Sequence, residues 1–177
     1  QANFDTLTGL ANRQLFQDRL DQAIARAKRN KERVGVVFLD LDGFKWINDS
    51  LGHVEGDELL KAVALRLRKC VRQQDTVARL GGDEFTIVIE NLQDAETLRH
   101  FAIKVLDLMR EPITLGGALR YQTASVGLTI CPDDGETVEA LLRNADMAMY
   151  QAKRQGRNQT VLAQSPHLSP ELACNVA

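Results

Sequence analysis

The residue types best suited to chemistry stand in two short acidic stretches, Asp40-Leu41-Asp42 and Gly81-Gly82-Asp83-Glu84. The second lies between two β-prone runs, Thr76-Val77-Ala78 and Phe85-Thr86-Ile87-Val88-Ile89. Paired glycines there predict a tight hairpin, because glycine accepts positive φ at both central turn positions without strain. With the glycines as the two turn residues, Leu80 is expected opposite Asp83 and Arg79 opposite Glu84. Two carboxylates side by side at a rigid tip repel each other, and a bound cation or basic ligand would supply the missing charge. A solvated acidic turn with a cross-strand Arg79–Glu84 pair accounts for the same residues equally well.

The first stretch closes a run from Val34 to Leu41 that is apolar on both faces and reads as a central, doubly covered strand. Period-two alternation puts Asp40 and Asp42 on one side at its carboxyl end. A buried strand that finishes in two acids is hard to explain by packing, so chemistry is the stronger reading. If the two acidic ends are neighbours, three or four carboxylate oxygens converge. Hard oxygen ligands of this kind suit magnesium, usually shared with phosphates. Two such ions about 3.5–4 Å apart would polarise both the attacking and the leaving oxygen of a phosphoryl transfer. The P-loop pattern and the dinucleotide GxGxxG are both absent, so a nucleotide would have to be gripped differently.

Candidates for that grip flank the acids. Lys45 follows Asp42 closely, and Lys153 and Arg157 bracket the end of the last helix, where cations also serve helix-terminal carbonyls. Asn48 and Asp57 lie near helix starts, where capping is the alternative to reading a base. Guanine offers two adjacent N–H donors that one carboxylate accepts together, and an amide can read its neighbouring edge. His53, in the Gly52-His53 turn, is either a loop residue or a ligand contact.

The elements that must position these groups are legible in the hydrophobic pattern. After a turn-rich entry, Phe4 to Asn12, an amphipathic helix runs to about Asn30 with Leu15, Phe16, Leu20, Ala23, Ile24 and Ala27 inward. A short helix is expected over Gly43 to Asp49, closed by Ser50-Leu51-Gly52, and a longer one from about Glu55 with Leu59, Leu60, Val63, Leu67 and Val71 on one face. Asp94 caps another helix, with Pro112 just past its end. Ile113 to Ile130 reads as a second hairpin turning at Gly116-Gly117. Thr137 opens a last helix that stops at Gly156, and Asn158 to Ala163 can pair as a final short strand. From Ser165 the composition changes to that of a linker or tail, so residues 1–164 form one domain and 165–177 do not belong to it. Hairpins mixed with helices, without regular βαβ alternation, indicate an α+β fold: one mainly antiparallel central sheet flanked by helices.

The chain of 177 residues is 44% hydrophobic and 26% charged, an ordinary globular composition. Its net charge of −2 leaves no global field to hold nucleic acid or an anionic membrane. Cys70, Cys131 and Cys174 are odd in number and far apart, which points to reduced thiols in a cytoplasmic setting. No apolar run approaches membrane-spanning length. The start at Gln1 rather than Met suggests a piece of a longer protein, whose other parts would include any membrane anchor.

Three ordered motifs identify a resemblance. Asp5-x-Leu7-Thr8-Gly9-Leu10-x-Asn12-Arg13 is followed by Phe38-Leu39-Asp40-Leu41-Asp42-x-Phe44-Lys45-x-x-Asn48-Asp49-x-x-Gly52-His53-x-x-Gly56-Asp57, and then by Arg79-x-Gly81-Gly82-Asp83-Glu84-Phe85. Together they resemble the GGDEF diguanylate cyclase domain, from about Phe4 to Val161. The resemblance implies a palm-like sheet akin to that of adenylyl cyclases, and an enzyme that joins two GTP molecules into cyclic di-GMP with loss of two pyrophosphates. It implies Mg2+, or Mn2+, held by Asp40, the Leu41 carbonyl, Asp83 and Glu84, with Asp83 or Glu84 helping to deprotonate the attacking 3′-hydroxyl. It places Phe44, Asn48, His53, Asp57 and Arg79 around the guanosine, and Lys45, Lys153 and Arg157 against the triphosphate. Each domain would hold one GTP, so a homodimer is needed for turnover. Arg72-x-x-Asp75 matches the family's product-inhibition site for cyclic di-GMP. Gly43 and Trp46 depart from the larger or more polar residues common at these positions, and Ser169-Pro170-Glu171-Leu172 is reminiscent of a junction to an EAL phosphodiesterase domain.

Overall fold

The computed structural model describes residues 2–163; the expected tail, its Ser169-Pro170-Glu171-Leu172 stretch and Cys174 lie outside them. Helix α1 (Arg13–Asn30) starts where the Asn12 side chain accepts from the Leu15 N–H, and it buries Phe16, Leu20, Ala23, Ile24 and Ala27. Strand β1 (Arg33–Leu41) is buried from Val34 onward. Helices α2 (Phe44–Leu51) and α3 (His53–Cys70) share Gly52 as a joint, at φ 93, so α3 begins two residues before the expected Glu55. Strands β2 (Thr76–Gly81) and β3 (Glu84–Leu92) form the acidic hairpin. Helix α4 (Ala95–Arg110) is capped by Asp94, and α5 (Val138–Arg154) by Thr137. Between them lie β4 (Ile113–Leu115), β5 (Ala118–Arg120) and β6 (Ala124–Cys131). Strand β7 (Gln159–Leu162) ends the fold.

The main sheet has the order β2-β3-β1-β6-β7. Its pairs are antiparallel except β6 and β7, which run parallel on either side of the α5 crossover. This is the expected α+β architecture, with β1 at the centre. Because side chains alternate along β1, Val37, Leu39 and Leu41 pack with α3 and α4. Val34, Val36 and Phe38 pack with α1 and α5 on the other face. Helix α5 seats directly on β6 at Gly127, where an added Cβ would lie 2.0 Å from the Ala145 carbonyl oxygen.

The second hairpin is shorter than expected. It is confined to β4 and β5, which form their own two-stranded sheet, while β6 pairs with β1 over eight residues. The reason is burial: every residue of β6 is buried, and only a strand interior to the main sheet offers it partners on both edges. Among the described residues, Cys70 and Cys131 are free thiols, and no helix is long and apolar enough to cross a membrane.

Candidate active site

The acidic hairpin turns one residue later than the glycine pair suggests. Gly81 faces Glu84 and Arg79 faces Phe85, with a register shift that leaves Leu80 as the extra residue. The turn is therefore Gly82-Asp83, with Gly81 at φ 143 and Gly82 at φ 50, so the expected Leu80–Asp83 and Arg79–Glu84 oppositions do not form. A bulge of this kind re-aims the side chains that follow it. The Arg79 guanidinium explains the shift: it donates from Nε to the Gly82 carbonyl at 2.9 Å and from Nη1 to Asp5 Oδ1 at 3.0 Å. Asp5 also accepts from the Thr8 N–H and hydroxyl. Burial raises the Asp5 pKa, but the Thr8 bonds and the Arg79 charge outweigh it and hold the pKa below the ordinary carboxylate range. Arg79 thus ties the entry turn to the hairpin through its Nε and Nη1.

The hairpin tip docks on the end of β1, where the Leu41 N–H donates to the Asp83 carbonyl at 3.4 Å. In the β1–β3 ladder, Asp40 stands opposite Glu84. Asp40 therefore has Asp83 and Glu84 as neighbours at one corner, but among the described residues the three side chains do not converge as closely as the expected single cluster. Asp40 is 7% exposed. Its Oδ2 accepts from Lys153 Nζ at 2.6 Å, while its Oδ1 is buried with no hydrogen-bond donor among the described residues. Burial, followed by the hydrogen bond and charge of Asp40, pushes the Asp83 pKa up to about 7. Burial, then the charges of Asp40 and Asp146, raise the Glu84 pKa as well, with Arg13 and Lys153 opposing.

Asp42 takes no part in that corner. Its Oδ1 accepts from the Ser125 hydroxyl at 2.7 Å, and its Oδ2 from the Thr123 hydroxyl at 2.6 Å and the Asn158 N–H at 3.1 Å. A carboxylate whose two oxygens already accept three hydrogen bonds has less lone-pair capacity left for an ion than Asp40 has. The expected pairing of Asp40 with Asp42 around one point is corrected accordingly: they share a face but not a function.

The remaining candidates surround the same end of the sheet. Helix α2 starts at Gly43 with no side-chain cap, so its first-turn N–H groups have no side-chain partner. Lys45 on that turn and Arg157 after α5 are exposed, and neither has an ion-pair partner among the described residues. Asn48 on α2 rests against Gly56 of α3, where an added Cβ would lie 1.9 Å from Asn48 Oδ1 and 3.4 Å from the Phe44 ring. Asp57 follows Gly56 on α3, and both Asp57 and His53 are exposed. Phe44 is half-buried and packs against the core.

Away from this end, Asp75 has a side chain only 2% exposed. Its oxygens accept from the Arg72 N–H, Nε and Nη2 and from the Glu90 N–H. Arg72 also donates to the Glu90 carbonyl at 2.7 Å. A cavity of about 420 Å³ opens beside the pair, lined in part by Cys70, Phe101 and Lys104.

Residue spacing left several participants unnoticed. Asp146 lies seven residues before Lys153 on α5, two turns back on the same face, which is the signal that could have found it. Thr123, Ser125 and Asn158 carried no such signal, since their partner Asp42 is far away in the chain.

Taken together, the sheet order and the placement of Asp40, Asp83 and Glu84 describe an α+β domain with an acidic corner at one end of its central sheet. The chain belongs to the GGDEF domain family: the family model "Diguanylate cyclase, GGDEF domain" matches residues 2–159. It is 50% identical over 156 residues to the bifunctional diguanylate cyclase/cyclic di-GMP phosphodiesterase MucR of Pseudomonas aeruginosa, covering 87% of this chain and 22% of that protein. The GGDEF domain of TpbB (YfiN) from the same organism superposes with a TM-score of 0.88 at 41% identity, covering 91% of this chain and 94% of that one. The GGDEF domain of DgcB from Caulobacter crescentus, solved in complex with cyclic di-GMP, superposes with a TM-score of 0.84 at 29% identity, covering 92% and 96%.

Proposed function

We propose that this domain is a diguanylate cyclase: it binds GTP with a divalent cation and, paired with a second copy, condenses two GTP into cyclic di-GMP. The observation that carries the reading is the Asp40–Asp83 corner, with its orphaned Asp40 Oδ1 and its raised Asp83. Acids crowded at a water-facing sheet end are costly unless a cation occupies them. Among the described residues no three His, Cys, Asp or Glu side chains converge closely enough to hold an ion alone. Phosphate oxygens would complete the set, as magnesium sites shared with nucleotides do.

Asp40, the Leu41 carbonyl, Asp83 and Glu84 would hold Mg2+ or Mn2+, which supplies Lewis-acid polarisation of the reacting phosphate. Lys45, Lys153, Arg157 and the open start of α2 neutralise the triphosphate. Asn48 and Asp57 take the guanine edge, and His53 and Phe44 flank it. Asp83 or Glu84 accepts the proton of the attacking 3′-hydroxyl, which forms a bond to the α-phosphorus of the facing GTP as pyrophosphate departs. Positioning and charge stabilisation supply most of the rate in such a transfer. Arg72 and Asp75 form the inhibitory site for cyclic di-GMP; Arg72, half exposed, offers a guanidinium face for stacking.

Incubating the chain with GTP and Mg2+, alone and as a forced dimer, tests the reading by the appearance of cyclic di-GMP. GTP binding without product in either arm would instead indicate a regulatory nucleotide-binding domain. Asp57→Ala is expected to erode the preference for GTP over ATP. Equal turnover of ATP by the unaltered chain would sink the guanine assignment.

A further inference from the structure

Where α5 ends, three consecutive residues take left-handed backbone: Gly156 at φ 116, Arg157 at φ 65 and Asn158 at φ 51. Arginine is strained in that region and persists there only when its surroundings hold it. Besides Gln159 Nε2 on the Arg157 carbonyl at 3.1 Å and Arg110 Nη2 on the Asn158 carbonyl at 3.5 Å, three hydrogen bonds do so. The Arg157 N–H donates to the Ala152 carbonyl at 3.0 Å, the Asn158 N–H to Asp42 Oδ2 at 3.1 Å, and Arg110 Nε to Asn158 Oδ1 at 2.9 Å.

Both anchors of this turn are themselves immobilised. Besides the Thr123 and Ser125 hydroxyls on its carboxylate, Asp42 donates its N–H to the Thr123 carbonyl at 2.9 Å and accepts Gln122 Nε2 on its own carbonyl at 2.7 Å. Arg110 also donates to Asp107 at 3.0 Å. It sits at the end of α4, whose last carbonyls are gathered by Arg66 reaching across from α3. The turn is thus fastened on one side to the end of β1 and on the other to α4, while the Arg157 side chain itself stays exposed.

We infer that Asp42 and Arg110 are positioning residues: together they clasp the Arg157-Asn158 turn in its left-handed form and so hold the Arg157 guanidinium ready for the nucleotide's phosphates. The inference rests on the nucleotide reading above for what Arg157 meets, and on geometry alone for the clasp. A guanidinium carried on a fixed backbone loses less freedom when it binds phosphate, so preorganisation becomes affinity. Asp42, with each carboxylate oxygen already occupied, serves the site through this turn rather than through the cation.

The test uses the whole chain and two readouts, with Arg110→Ala as the main variant because Arg110 is exposed and its loss leaves the core intact. Amide exchange at Asn158 is expected to accelerate about tenfold in Asp42→Asn and in Arg110→Ala. Affinity for a non-hydrolysable GTP analogue with Mg2+ is expected to fall about fivefold in Arg110→Ala. Added to Arg157→Ala, the same change should cost nothing more, since both act through one group. Unaltered exchange at Asn158 overturns the clasp. An Arg110→Ala loss that persists undiminished beside Arg157→Ala overturns the route through Arg157. Unaltered chain that binds no analogue overturns the nucleotide reading and Arg157's role with it, while the exchange arm still decides whether the clasp exists.

Discussion

Two buried carboxylates, Asp40 and Asp75, sit at corners of opposite character. Asp40 has one cation, Lys153, on one oxygen, nothing on the other, and two further acids as neighbours. Asp75 has four donors on two oxygens, three of them from Arg72. The first corner is short of positive charge, which is what the proposed nucleotide-borne cation would supply. The second is complete as it stands. A ligand there must exchange hydrogen bonds with Arg72 or use the exposed face of its guanidinium. One corner is left short of donors by the fold; the other is completed by it.

The sharpest way to break this contrast is Asp83→Asn. Turnover is expected to drop at least about a hundredfold, measured as cyclic di-GMP formed per minute, because the corner loses a cation ligand. In chelator the same variant should lose a pH effect. The Asp83 pKa stands near 7 in the folded chain against 3.8 without its surroundings. The folded form therefore binds more protons than the unfolded one between those values. Stability of the unaltered chain should fall as pH rises from about 4 to 7 and level off above, and Mg2+ added with a non-hydrolysable GTP analogue at pH 8 should restore it. Melting curves of Asp83→Asn should be flatter across that window. A slope of the opposite sign would remove the picture of crowded acids.

At the complete corner the expected effect falls on stability. Asp75→Ala removes the acceptor of a buried ion pair and strands the Glu90 N–H, at a cost of about 2 kcal/mol by denaturant unfolding, with the initial rate nearly unchanged. Arg72→Ala should relieve inhibition by added cyclic di-GMP while sparing the initial rate. An unaltered inhibition curve would take the inhibitory role away from this pair. The smallest effect concerns Gly56→Ala. The new methyl group must push Asn48 aside, raising KM for GTP about threefold through lost guanine contact. Helix stability should hold or improve, since alanine is the better helix former. Unchanged KM would remove Asn48 from the base site.

Much of this was legible along the chain. The double burial of β1, the caps at Asn12, Asp94 and Thr137, and the acidic ends of β1 and of the β2–β3 hairpin all follow from local periodicity and residue type; that these ends are neighbours was only a condition until β3 paired with β1. Such signals are carried by residues within a turn or a strand pleat of each other. The hairpin register was not legible, because the bulge at Leu80 answers to Arg79 reaching Asp5, seventy-four positions away. Asp42 misled for the same reason. By type and spacing it is the twin of Asp40, and its true partners Thr123, Ser125 and Asn158 come from distant segments.

The amino-acid order by itself determined which stretches become helices and strands, which face of each turns inward, and that two strands end in acids. Only the folded chain decided which of those acids is left wanting and which is satisfied. An acid's charge state and purpose depend on donors and burial gathered from across the sheet, and no spacing rule encodes neighbours that become neighbours only when β6 and α5 close over β1.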